Sequence, residues 1–242
     1  MSTRKLSTST DSPDTPFALA LINTHGQPGG TMTASIMTNT ARTDRSSPVA
    51  GWICLAGAVI GLAQGIFLLI VTPVVGDDRF SYPFTPTGFT VAQLSFALQH
   101  LMLLVGVVAL ARTSWTQRSR LAVIGFWIAA AGFLLLTAME VLALTAANAV
   151  TASAEADLIN SLYGIPTIVC GVGLLVGGIG FARSSGLTGW RRWLPLILGI
   201  YVFVPLLPAV FAPYVWGRIA ISVWMLLFAG LGWMLIRPSA EH

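Results

Sequence analysis

Charge is scarce in this chain: Asp, Glu, Lys and Arg make up 9% of its 242 residues, where water-soluble domains carry about a quarter. That scarcity excludes an ordinary soluble protein, and the mean hydropathy of +0.79 points the same way. Cysteine is nearly missing too. Cys54 and Cys170 form no CxxC pair. Counted from the arginine-bearing ends of their apolar runs, they lie about 5 and 20 Å deep at 1.5 Å per residue, so no disulfide is expected and both read as small packing residues. Also missing are the alternating ten-residue segments of an outer-membrane barrel. No long polar domain separates the apolar runs, so any site must be built from span faces and short loops.

What is present is a set of apolar runs long enough to cross roughly 30 Å of hydrocarbon. Six are expected, near 50–73, 90–111, 121–146, 159–182, 192–212 and 215–236. The fold class is an all-α, polytopic membrane helix bundle with six transmembrane helices. Its glycine and proline content is too high for ideal helices throughout.

Basic residues set the orientation. Arg4, Lys5, Arg42 and Arg45 precede the first span, Arg112, Arg118 and Arg120 join the second to the third, and Arg183, Arg191 and Arg192 join the fourth to the fifth. With Arg237 after the sixth, these eleven share one side, against Arg79 and Arg218 on the other. The positive-inside rule therefore predicts both termini in the cytoplasm. Trp52, Trp115, Trp190, Trp193, Trp216 and Trp233 fall near span ends, where amphipathic rings prefer to lie. Topology thus accounts for the pI near 9.6, and no folded basic surface supports a nucleic-acid partner.

Residues 1–49 differ in composition, being rich in Ser, Thr, Pro and Asp, and read as a disordered cytoplasmic tail. Their one apolar patch, FALALI, is too short for a span or a signal-peptide core. Met32 and Met37 offer later translation starts, which would leave residues 1–36 untranslated.

Polar residues inside the spans carry the functional signal. Glu140, in LLLTAMEVLALTA, lies twenty residues beyond Arg120, about 30 Å from the arginine-bearing end. Counting the same way puts Gln93, Tyr163 and Arg218 at about 28–30 Å, which makes one layer from four spans. A deeper layer, about 18–20 Å in, holds Gln64, His100 and Cys170. Gln93 and His100 are seven apart on one face of the second span, while Asn160, Tyr163, Thr167 and Cys170 run down one face of the fourth. The result is an expected polar seam opening outward.

An ionised carboxylate facing lipid costs several kcal/mol. Glu140 should therefore face the bundle interior, and Arg218 is the cation of matching height. A Glu140–Arg218 ion pair is expected on that ground, with Tyr163, Gln93 or Asn160 satisfying the remaining groups. In the competing reading Arg218 snorkels to headgroups and Glu140 bonds a nearby hydroxyl.

His100 titrates near neutrality in its unperturbed state. A haem would want a second axial ligand and zinc three or four donors, and the deeper layer offers His100 and Cys170. Neither a cofactor nor a metal is expected, and His100 reads as a hydrogen-bonded core residue.

Gly57, Gly61 and Gly65 recur at four-residue intervals in the first span, and Gly173 and Gly177 do so in the fourth. Such ridges let helices approach closely. They are expected to seat neighbouring helices of the same chain, with homodimerisation or another membrane protein as the alternative. Pro166, Pro205 and Pro208 remove backbone donors within spans and favour kinks. The loop GDDRFSYPFTPTGF could fold over the seam as an aromatic lid.

Three segments, HLMLLVGVVALAR, LYGIPTIVCGVGLLVGGIGFARS and WRRWLPLILGIYVFV, give a layout that resembles a family of six-span actinobacterial membrane proteins of no established activity. The resemblance covers the chain after residue 49. It implies a bacterial inner-membrane location and transfers no catalytic residue.

Three function classes follow. First comes a non-catalytic scaffold, sensor component or partner of another membrane protein, because no acid, base and nucleophile converge. A small-solute or proton-coupled transporter is second, favoured by Glu140, Arg218 and the proline breaks. A membrane enzyme is third: Glu140 and His100 come out about 12 Å apart in depth, too far for joint chemistry.

Overall fold

A computed structural model describes residues 48–237. The expectations for the tail, its FALALI patch and the alternative starts at Met32 and Met37 fall almost wholly outside those residues. The described part is helical without a named strand, and six of its helical segments are long and apolar enough to cross a membrane. The protein is a multi-pass membrane helix bundle.

The helices are α1 (Pro48–Ile70), α2 (Pro86–Arg112), the one-turn α3 (Ser114–Gln117), α4 (Arg120–Leu142), α5 (Ala154–Ser184), α6 (Trp190–Tyr201), the one-turn α7 (Leu207–Val210) and α8 (Tyr214–Ile236). A 3₁₀ turn, Ala143–Ala146, prolongs α4, and a π turn, Val202–Leu206, joins α6 to α7.

Local chemistry explains the boundaries. Pro86 occupies the first turn of α2, where its missing N–H costs nothing, and the Thr85 side chain accepts from Gly88 N–H. Ser119 and Ser153 cap α4 and α5 in the same way, accepting from Ala122 and Ala156. The first span stops at Ile70, short of the expected residue 73, because Pro73 restricts the residue before it. Pro166 lies buried inside a continuous α5. Pro205 has a larger effect: it cannot donate in the ladder, and Leu207 N–H bonds Val202 O, five residues back, which is the π turn.

Each span packs against its neighbours in sequence, and α8 returns to contact both α1 and α6, so the six spans form a closed ring. The most extensive contacts are α4 with α5 and α1 with α8. Both depend on missing side chains. A methyl group added at Gly61 would come within 2.6 Å of Met225 Sδ on α8, and one at Gly177 within 2.5 Å of the Phe126 ring on α4. Gly57 abuts Met102 on α2, Gly65 abuts Ser222 on α8, and Gly173 abuts the Ala129 backbone on α4. The ridges are thus occupied by helices of the same chain.

An aromatic cluster fills the ring. Phe133 stacks on Trp224 at 5.9 Å and meets Phe228 edge-on at 5.4 Å. Trp224 Nε1–H donates to Leu198 O and Tyr201 O–H to Ala220 O, tying α6 to α8. Cys54 lies against Gly106 and Cys170 against Gly132, both thiols buried and free.

Candidate functional site

Four side chains from three helices meet inside the ring. Glu140 stands in the last turn of α4, with Gln93 and His100 on one face of α2 and Tyr163 on α5. Gln93 Nε2–H donates to Tyr163 Oη at 3.1 Å, and the Tyr163 hydroxyl donates to Glu140 Oε2 at 2.9 Å. Glu140 Oε1 faces His100 Nδ1 at 3.6 Å. Both Gln93 and Glu140 are 7% exposed. The carboxylate is therefore held between a hydroxyl, itself fixed by an amide, and an imidazole.

His100 differs from expectation in two ways. Its Nδ1 is buried without a hydrogen-bond partner, so it is not the satisfied core histidine that the sequence suggests. Nor is it separated from Glu140. Depth counting spaces the two by about 12 Å along the bundle axis, but a count along the axis ignores where side chains lean. In an α-helix every side chain tilts toward its own N-terminus. Helices α2 and α4 pack together and run in opposite directions, so the imidazole and the carboxylate lean toward each other. The distance that argued against joint chemistry is removed.

Arg218 is the second correction. Its guanidinium lies 4.8 Å from the centre of the Tyr214 ring, one turn earlier on α8. Among the described residues the ion pairs are His100–Glu140 and Arg79–Asp78. The expected Glu140–Arg218 pair is absent because equal height does not fix direction: the side chain has turned onto its own helix. Arg218 still lies within Coulombic reach of both Glu140 and Tyr163.

Gln64 and Asn160 also stand apart. Gln64 Nε2–H donates to Ser95 Oγ at 2.5 Å. Ser95 is two residues after Gln93 and so faces roughly the opposite side of α2, where both line an apolar groove with Phe67, Phe84 and Phe96. Asn160 is exposed. Thr167 bonds Tyr163 O within its own helix, and Cys170 Sγ faces Ala129 O at 3.8 Å.

Sequence reading overlooked Gln99, which is 3% exposed, wedged against Gly61 and directed at Met225 Sδ at 3.0 Å. The cost of an amide in hydrocarbon was the signal that could have found it. Among the described residues, no three His, Cys, Asp or Glu side chains converge as a metal site.

Both ends of the site are covered. On the side away from the arginines, the segment after α1 forms a strap. Phe80 N–H donates to Ala149 O, Thr151 N–H to Asp78 O at 2.7 Å and Thr151 Oγ1–H to Asp77 O. Phe80 and Phe84 pack with Tyr163 around Phe89, Ala146 and Ile159. Tyr82 meets Tyr214 edge-on at 6.0 Å. On the other side, His100 rests on Phe133, ring centres 6.4 Å apart, above the aromatic cluster. Comparison of the chain with protein-family models, curated proteins and solved structures finds no match.

Proposed function

We propose that this membrane protein is a proton-coupled carrier of a small solute, with Glu140 as the group that takes up and releases the proton. The contact of Glu140 with His100 at 3.6 Å carries the reading. Ionisable groups inside a membrane are costly to keep and tend to line pathways or relays. Two facing each other, with a hydroxyl on the second carboxylate oxygen, can hold one proton in alternative places. The covers fit this role: a site closed by a hydrogen-bonded strap on one side and stacked rings on the other matches a carrier between its two openings. The arginine distribution favours both termini in the cytoplasm, and the actinobacterial resemblance favours a bacterial inner membrane.

The scaffold reading rests on the lack of a convergent acid, base and nucleophile. Four polar side chains do converge, a carboxylate and an imidazole among them, and that favours the carrier.

The test uses protein with Cys54→Ala and Cys170→Ala, carrying Thr167→Cys one turn below Tyr163, in vesicles of both orientations. A small membrane-impermeant thiol reagent should reach this cysteine from each side, with Glu140→Gln shifting the balance between sides. Failure to react from either side would overturn the carrier reading.

A further inference from the structure

We infer that Arg218 binds a small oxyanion, a carboxylate or a phosphate group, and that this binding and protonation of Glu140 favour each other. The inference rests on Glu140 being the proton-binding group and adds the chemical class of what accompanies the proton.

Three observations carry it. Arg218 is half-buried in a span, a setting in which a guanidinium normally finds a carboxylate. Here one face lies on Tyr214, and its side chain has neither a carboxylate partner nor a hydrogen bond among the described residues. Stacking on a ring uses the π face of a guanidinium and leaves its N–H edges free, and those edges bind carboxylate and phosphate in a fork. Second, Tyr214 touches Tyr82 of the strap, so the unpaired cation lies beneath the cover of the site. Third, the Arg218 charge reaches Glu140 and Tyr163 through space without contacting either.

Of the titratable and charged groups near Glu140, His100 comes from α2, Tyr163 from α5 and Arg218 from α8. Asp77, Asp78 and Arg79 of the strap are exposed, with Arg79 and Asp78 paired at 4.0 Å. In such surroundings one added negative charge matters. An anion on Arg218 cancels the positive field felt by the carboxylate and adds a negative one, which draws a proton to the site. By linkage the proton strengthens anion binding by the same factor. Neutral co-binding of an anion and a proton is the form in which an acid group can cross hydrocarbon at least cost.

The oxyanion could be a free solute or a phospholipid headgroup, and the experiment separates them. Protein purified in an uncharged maltoside detergent, in weak buffer with a pH dye, is titrated in separate arms with acetate, inorganic phosphate and a short-chain phosphatidylglycerol. Proton uptake should accompany binding in at least one arm. A response to acetate or phosphate assigns a solute, and a response confined to the lipid assigns a headgroup. Arg218→Gln should weaken the response about 10- to 100-fold, the loss of a charge-assisted pair. Arg218→Lys, which keeps the charge without the fork, should fall between and guards against misfolding of the first variant. Glu140→Gln should still bind the anion but without proton uptake.

Absence of anion-linked uptake in the unsubstituted protein overturns the inference, as does an undiminished response in folded Arg218→Gln. Two-sided access at Thr167→Cys without anion-linked uptake leaves the carrier standing and removes only the anion. Uptake without two-sided access leaves a proton-linked anion receptor and removes the carrier.

Discussion

Helices α4 and α5 meet in two different ways along their length. Toward the arginine-bearing end, Gly125 and Gly132 face Gly177 and Cys170, and backbone lies on backbone. Toward the strap, the same helices present Glu140 and Tyr163, and a hydrogen bond between long side chains replaces close contact. Close packing of small residues leaves no room to slide, because any shift meets a backbone atom. Side-chain pairs tolerate rearrangement. The pair is thus rigid at one end and adjustable at the other, and the ionisable group is at the adjustable end.

Substitutions at the two ends should therefore differ in what they cost. The largest effect is expected at Gly177→Leu, where a side chain must displace the Phe126 ring and the α4 backbone. Overpacking there should cost about 3 kcal/mol, read as lost monodisperse protein and easier unfolding in mixed detergent. Glu140→Ala should cost less, about 1–2 kcal/mol, because it leaves the Tyr163 hydroxyl without its main acceptor in a buried place. If it proves more damaging than Gly177→Leu, the assignment of rigid and adjustable ends is reversed. Tyr163→Phe removes the link between Gln93 and Glu140 and should cost about 0.6–1 kcal/mol, the scale of hydrogen bonds between membrane helices. It should also alter proton uptake, which a purely structural role would leave unchanged. Asn160→Ala, on the exposed face of α5, should change neither stability nor proton uptake measurably.

Much of the bundle was legible because a bilayer restricts what a chain can do. Length and apolarity identify six spans, and serine or threonine caps and prolines set most of their ends within a few residues. Depth counting also places Gln93, Tyr163 and Glu140 at one height, and hydrogen bonds join those three. It fails for His100 and Arg218 for one shared reason. A residue count measures distance along an axis, whereas contact depends on lean and direction around that axis. The lean of antiparallel helices closes the gap to His100, and the rotation of a flexible side chain onto Tyr214 takes Arg218 away. Gln64 illustrates the same limit, since its partner Ser95 faces away from Gln93 and His100 on α2.

Phe80 is tied to Ala149, nine residues after Glu140, and the chain between them leaves α4 through the tight 3₁₀ turn Ala143–Ala146. The acid and the point where the cover is fastened therefore sit on one short piece of backbone. On the proposed function, a proton taken up by the carboxylate would be passed to the strap as a tug along this stretch of main chain, with no separate messenger.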